Sequence, residues 1–319
     1  MGSRDGVSQK RPTIESVQRV FFIVGPTATG KSEIAAEIAR RQGAEIISAD
    51  AFQIYRGLDR LTAKPEKTTL AKAPHHLLSA ESPSEEMNVE KFRAAAVEAI
   101  RDIHARGKHA IVAGGSGLYL KALTHGLSQL PGASRKLREE LVQATVEELF
   151  ARLRELDPDG AERIDRKNKQ RLVRAVEVCL LSGRPFSAQR TKWGNTRSTP
   201  DGVFVFRERA ELYQRIDRRV EKMFAEGVVE EVRALRDLGS TAEKALGLRE
   251  IHALLAGEIS ETECIATIQQ ATRRYAKRQL TWFQRQDNFE PLNLSSHGYP
   301  EVIELIAQNA RLAFAQRDV

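Results

Sequence analysis

Eight consecutive residues constrain this chain more than any others: Gly25-Pro-Thr-Ala-Thr-Gly-Lys-Ser32 satisfies the pattern G-x-x-x-x-G-K-[ST] at every position. A short apolar, β-rich run, residues 19–24, precedes it. After it, Ile34, Ala35, Ile38 and Ala39 recur at helical spacing between Lys31 and Arg41, and Gly43 supplies a helix stop. Strand, glycine loop and helix in that order turn a motif that also occurs by chance in turns into a cradle for phosphate. The glycines let the backbone close around an anion, and the helix aims its N–H groups and positive dipole end at it. Lys31 adds a mobile charge, and Ser32 a hydroxyl for Mg²⁺. The candidate set for binding a diphosphate or nucleotide is therefore Gly25, Pro26, Thr27, Ala28, Thr29, Gly30, Lys31 and Ser32.

The loop sits in a repeating strand–helix pattern. A second apolar run, Glu45 to Ser48, ends at Asp50; a helix is expected over Val89–Ala105, with Phe92, Ala96, Ile100 and Ile103 on its apolar side. A third strand, His109 to Ala113, runs into Gly114-Gly-Ser-Gly117, and Val203 to Phe206 reads as one more. These pieces predict an α/β fold: a P-loop NTPase-like three-layer core with a parallel sheet, active at the strands' C-terminal ends, plus a helical insertion domain. A P-loop ATPase also needs an acid at a strand end to organise Mg²⁺ and water. The third strand ends without one, which argues against a motor or GTPase. Asp50 would face the same crevice as the loop. A carboxylate there can take a proton from an attacking hydroxyl or amine, cap a helix, or partner Mg²⁺, and the sequence leaves these open.

Charge divides the chain. Residues 151–200 hold 12 Lys and Arg against 6 Asp and Glu, whereas the remainder is close to balanced at 38 against 37, so nearly all of the net +7 lies in one segment. Residues 135–184 are charged and helical throughout, and 191–202 read as a loop. The expected organisation is a disordered tail (1–18), a catalytic core from 19–127 and 203–319 with C-terminal helices, and a basic helical insertion over 128–202. Gln170, Arg171 and Arg174 share a helix face in that insertion, above an apolar stripe of Leu172, Val176 and Leu180; the face is either a solvated surface or a clamp on a nucleic-acid backbone. Arg273, Arg274, Lys277 and Arg278 recur before Trp282 and Phe283, placed either to meet a diphosphate or to pack against acidic faces. His75 and His76 lack metal partners at suitable spacing and are read as loop or packing residues. No apolar run of 18 residues occurs, the first 17 residues are too polar for a secretory signal, and two distant cysteines, Cys179 and Cys264, make a disulfide framework improbable; the cytoplasm is the expected compartment.

Taken together, GPTATGKS (25–32), ISADAFQIYRGLDRLTAKP (47–65), PHHLL (74–78), AGGSGLYLKAL (113–123), QRLVRAVEV (170–178), ALGLREI (245–251) and AKRQLTWF (276–283) resemble the tRNA dimethylallyltransferases, also called tRNA isopentenyltransferases. They run in that family's order over about residues 19–285. The resemblance implies transfer of a dimethylallyl group from dimethylallyl diphosphate to N6 of adenosine 37, beside the anticodon, in tRNAs that read codons beginning with U. It implies Mg²⁺ as cofactor, tRNA (its anticodon stem-loop) and dimethylallyl diphosphate as partners, no membrane association, and a monomer. Carried over by position, Asp50, Ser116 and Lys31 would be catalytic, with Ser32 on Mg²⁺. Asp50, Ala51, Phe52, Gln53, Ser116, Arg138, Gln170, Arg171, Leu172, Val173 and Arg174 would meet tRNA, and Arg249 and Arg278 are further candidates for the diphosphate. Ser116 stands where many bacterial members have threonine, which keeps the hydroxyl. No C-terminal zinc finger of the eukaryotic type is visible, so a bacterial type is expected.

Three other readings share parts of this pattern. An enzyme prenylating free AMP or ATP would share segments 25–32, 47–65 and 113–119 but has no use for the basic insertion. A small-molecule kinase would share the loop and Asp50. A nucleotide-gated RNA-binding protein would share the loop and the basic segment without chemistry.

Overall fold

Strand β1 (Val20–Val24) is buried at every residue, and its alternation divides the interior in two. The computed structural model describes residues 20–128, 130–189, 201–286 and 288–315; the tail expected over 1–18 and most of the loop expected over 191–202 lie outside them. After β1 come α1 (Lys31–Gln42), β2 (Glu45–Ala49), α2 (Lys67–Leu70), β3 (His75–His76), α3 (Val89–Ala105), β4 (Ala110–Gly114) and α4 (Gly117–His125). Next are α5 (Arg135–Gln143), α6 (Val146–Leu156), α7 (Pro158–Arg163), α8 (Lys169–Ser182) and α9 (Phe186–Gln189). The chain continues with β5 (Gly202–Phe206), α10 (Arg209–Ala225), α11 (Val228–Ala234), α12 (Leu248–Leu255), α13 (Glu261–Phe283), β6 (Glu290–Asn293) and α14 (Tyr299–Ala315).

The strands form one parallel sheet in the order β3-β2-β4-β1-β5-β6. On one face Phe21 and Ile23 pack with Ile34 and Ile38 of α1 and Ile303 and Ile306 of α14. On the other, Phe22 and Val24 join Phe92 of α3, Leu120 of α4 and Phe283 of α13. Helices on both faces of a parallel sheet make the three-layer α/β core that the sequence predicts, and they explain why its strands read as continuous apolar runs.

The described residues divide into two compact units, those within 1–125 and 196–319 and those within 126–195. The second is all-helical among its described residues, α5 to α9. Its core is Leu141, Leu149, Leu153, Leu172, Val176 and Cys179. A buried carboxylate, Glu177, lies inside it, held by Arg138 at 2.9 Å, Arg174 at 2.6 Å and the Ser134 amide at 2.9 Å.

Two strands escaped the sequence reading. β3 is two residues long, and β6, Glu-Pro-Leu-Asn, carries a proline that only an edge strand tolerates. The histidines assigned to loop or packing thus pair with β2, His75 opposite Ile46 and His76 opposite Ile47.

Candidate active site

Register brings the candidate residues together. Val24, Gly114 and Ala49 share one rung of the sheet, so the glycine loop, the Gly115–Gly117 turn and Asp50 all leave the sheet at one edge. The loop closes through Gly25 N to Gly114 O (3.2 Å) and Thr29 Oγ1 to Pro26 O (2.9 Å). Gly30 precedes α1 in the left-handed region, φ +95°, where a side chain would be strained, and no side chain caps the helix. The first-turn amides of α1 therefore have neither intrahelical partners nor a capping oxygen, as an anion site requires.

Lys31 and Ser32 begin α1, and both line a crevice with Asp50, Gln53, Ser48 and His75. Burial of the Lys31 ammonium lowers its pKa to about 8, against the attraction of Asp50 and with the help of Arg219. Its Nζ donates to Pro26 O at 3.2 Å. Asp50 Oδ1 accepts the amides of Phe52 (3.0 Å) and Gln53 (3.2 Å), which fixes the carboxylate and leaves Oδ2 for a reacting proton. The Ser116 hydroxyl accepts the Ala51 amide at 3.0 Å, and the Ser116 amide donates to Ala49 O at 3.2 Å. Asp50, Ala51, Phe52, Gln53 and Ser116 thus form one bonded cluster beside the loop. His75 Nδ1 donates to the Ala73 carbonyl at 2.8 Å, so Nε2 is the ring's acceptor.

The loop's other supports were not foreseen. Arg207 Nε donates to Thr29 O (2.9 Å), Arg215 Nε to Ala28 O (2.8 Å), and Arg219 Nη1 to the Thr27 hydroxyl (2.8 Å). Arg215 and Arg219 sit four apart on α10, and Arg207 directly follows β5. That spacing just past a strand end was the available signal, but in an amphipathic helix it reads as a solvated face. Gln279 of α13, inside a quoted motif but assigned no role, accepts the Thr27 amide and donates to Gly115 O, both at 2.9 Å.

The remaining candidates are more dispersed. Arg249 is exposed on α12; Arg278 is exposed on α13, with its guanidinium 5.7 Å from the centre of the Tyr275 ring. Arg273 pairs with Asp217 at 2.5 Å, the packing role that the sequence left open. In the all-helical unit, Gln170 and Arg171 are exposed at the start of α8. Leu172 and Val173, expected among the tRNA contacts, are 0% and 6% exposed, and their side chains pack in the unit's core. Leu180, expected in the buried stripe, is 36% exposed at the rim. Arg138 and Arg174 are tied to Glu177, whose carboxyl stays below its ordinary range because these bonds and the Ser134 amide outweigh the cost of burial.

A glycine-rich loop opening onto a helix N-terminus, a fixed carboxylate and a serine thus gather at one edge of a P-loop-like core. The family model for IPP transferase matches residues 53–286, and the chain belongs to that family. Among its relatives, tRNA dimethylallyltransferase 1 of Citrifermentans bemidjiense is 44% identical over 85% of this chain and 90% of its own length. The tRNA dimethylallyltransferase of Akkermansia muciniphila is 41% identical over 89% and 96%. The crystal structure of the tRNA isopentenylpyrophosphate transferase of Bacillus halodurans superposes with a TM-score of 0.69 at 32% identity, covering 94% of this chain and 98% of that one. A eukaryotic dimethylallyltransferase, captured crystallographically acting on tRNA, shares the fold with a TM-score of 0.74 at 24% identity over 93% and 78%.

Proposed function

We propose that this chain transfers the dimethylallyl group of dimethylallyl diphosphate to N6 of adenosine 37 in tRNAs that read codons beginning with U. The observation that carries the reading is the shared rung of Val24, Gly114 and Ala49, which opens an anion cradle and a fixed carboxylate onto one edge. Family membership supports the same chemistry.

In this reading the first-turn amides of α1, Lys31, Arg215 and Arg219 hold the diphosphate. The N6 amine is a weak nucleophile because its lone pair is delocalised into the ring. Three things must therefore coincide: the allylic C–O bond breaks, the N–C bond forms, and Asp50 Oδ2 accepts the amine proton. Ser116, bonded to the Ala51 amide, holds the turn on which Asp50 sits. A flipped base reaches the site at modest unstacking cost from an anticodon loop.

The residues present fit Mg²⁺. The Ser32 hydroxyl stands at an anion cradle, and the described residues hold no group of three or more His, Cys, Asp or Glu that would form a protein-only metal cage. Ser32, with the donor's phosphates and water, would hold Mg²⁺ there, and the ion would supply charge neutralisation for the departing diphosphate. Gln170 and Arg171 offer exposed groups to the anticodon stem-loop backbone. The same reading takes the enzyme as a cytoplasmic monomer; among the described residues no helix is long and apolar enough to cross a membrane.

The test supplies labelled dimethylallyl diphosphate with tRNA, AMP or ATP as acceptor. Label in tRNA adenosine supports the reading. Label only in free nucleotide, or phosphate transfer from ATP, sinks it. Mass spectrometry of tRNA nucleosides from cells lacking the protein gives the matching loss.

A further inference from the structure

Three consecutive residues of the turn after β4 lie under one face of α13. The Tyr275 hydroxyl lies against Ser116. Gln279 Nε2 donates to Gly115 O at 2.9 Å. The indole of Trp282 covers Gly117, where any side chain would collide with it. Residues 275, 279 and 282 share a helical face, so α13 acts as one straight edge along the turn that carries Ser116.

Gln279 alone in this row also reaches the other half of the site. Its Oε1 accepts the amide of Thr27 in the glycine loop at 2.9 Å. The side chain is 7% exposed, and its orientation is unambiguous: an amide N–H only donates and a carbonyl only accepts, so oxygen faces Thr27 and nitrogen faces Gly115. Even the space is committed, since a Cβ at Gly115 would overlap the Gln279 amide nitrogen. One buried amide therefore spans the loop that cradles the diphosphate and the turn that carries Ser116, taking up one backbone group from each.

We propose that Gln279 is a positioning residue that sets the distance between the donor loop and the acceptor side of the site. The inference rests on the prenyl-transfer reading above. It assigns Gln279 no contact with either substrate. Loss of the amide leaves both binding surfaces in place and lets them drift relative to one another, which transfer between two bound groups tolerates poorly.

The experiment compares the full chain with Gln279→Met and Gln279→Glu. Methionine keeps the length and loses both hydrogen bonds; glutamate keeps the shape and the acceptor for Thr27 and loses the donor to Gly115. Four quantities are read: thermal unfolding, affinity for inorganic pyrophosphate with Mg²⁺, affinity for tRNA, and the single-turnover transfer rate with both substrates saturating. The expected result is a rate at least about tenfold lower in both variants, with either affinity shifted less than about threefold and the protein folded at the assay temperature. A rate per folded molecule within twofold of wild type reduces Gln279 to a structural strut and overturns the proposal. Pyrophosphate affinity falling in step with the rate also overturns it, making Gln279 part of the donor site. Should methionine prevent folding, the glutamate variant alone decides. A wild type that transfers nothing sinks the functional reading and this inference together, whereas a wild type matched by its variants sinks the inference alone.

Discussion

Arg219 donates from Nη1 to the Thr27 hydroxyl across 2.8 Å, joining α10 to a loop 192 residues earlier in the chain. Its other bonds go to the carbonyls of Thr62 (3.3 Å) and Ala63 (3.4 Å). Burial pushes its pKa down, countered by the charges of Asp50 and Glu33, and none of its hydrogen-bond partners is a carboxylate. Under the proposed function, a partly desolvated cation bonded only to neutral oxygens beside the glycine loop would meet the anion that arrives with the ligand.

Arg219→Met should accordingly weaken pyrophosphate binding by roughly 10- to 100-fold, the range of a charge-assisted hydrogen bond. The affinity for tRNA should stay unchanged, as should the unfolding temperature or better, because the variant removes a charge that folding desolvates. Isothermal calorimetry with Mg-pyrophosphate checks the first point. Unchanged affinity would show that Arg219 serves only to tie α10 to the loop.

Asp50→Asn separates the observed role of that carboxylate in holding its turn from the proposed role as base. Asparagine Oδ1 still accepts the Phe52 and Gln53 amides, so the turn is preserved, but it cannot take up a proton. The turnover number should drop by about 10²- to 10⁴-fold with tRNA affinity within about threefold. Quench-flow transfer assays read the first and filter binding the second; turnover near wild type would remove Asp50 as the base.

Much of this arrangement is legible in the sequence. The P-loop, the β1–α1–β2 unit and the helix over Val89–Ala105 stand where periodicity and Gly43 put them, because local chemistry and tertiary burial ask for the same residues there. What stayed hidden depends on partners distant in sequence. Gln279 and Thr27 are 252 residues apart, and nothing local to either announces the pairing. β3 is held by pairing with β2 rather than by its own composition, and His76 looks unremarkable until its ring nitrogen is seen 2.7 Å from Glu45. In α8 the ambiguity was physical: Arg171 and Arg174 are three apart and look alike in sequence, yet only Arg174 lies within reach of a buried carboxylate.

That contrast in α8 is measurable. Arg171→Ala should lower tRNA affinity, reduce the magnitude of its salt slope by about 1 and leave the unfolding temperature alone. Glu177→Ala should instead remove the buried acceptor shared by Arg138, Arg174 and the Ser134 amide and destabilise the protein by about 2 kcal/mol, the cost of losing hydrogen bonds to a charged group whose cationic partners can turn to solvent. Binding titrations across a salt series, paired with denaturant unfolding, distinguish the two. A comparable loss of stability in Arg171→Ala would mark that residue as structural.

Glu45 gives the fold a dependence on acid. Its carboxylate is 4% exposed at the start of β2 and is met by His76 of β3 at 2.7 Å, Arg106 after α3 at 2.6 Å and Lys108 before β4 at 3.1 Å. Burial alone would raise its pKa, but the hydrogen bonds from His76, Lys108 and Arg106 outweigh burial and hold it at about 2, against 4.5 for an unperturbed glutamate. A depressed carboxylate stabilises the folded state fully above the unfolded value, and this contribution drains away as the pH falls from about 4.5 toward 2. Wild-type unfolding temperature should therefore fall steeply below about pH 5. Glu45→Gln should start lower at pH 7, where Arg106 and Lys108 lose their shared anion, and show a shallower acid limb because its amide does not titrate. Thermal melts at half-unit intervals from pH 7 to 3 report both slopes, and parallel limbs for the two proteins would mean that the acid sensitivity resides in other carboxylates.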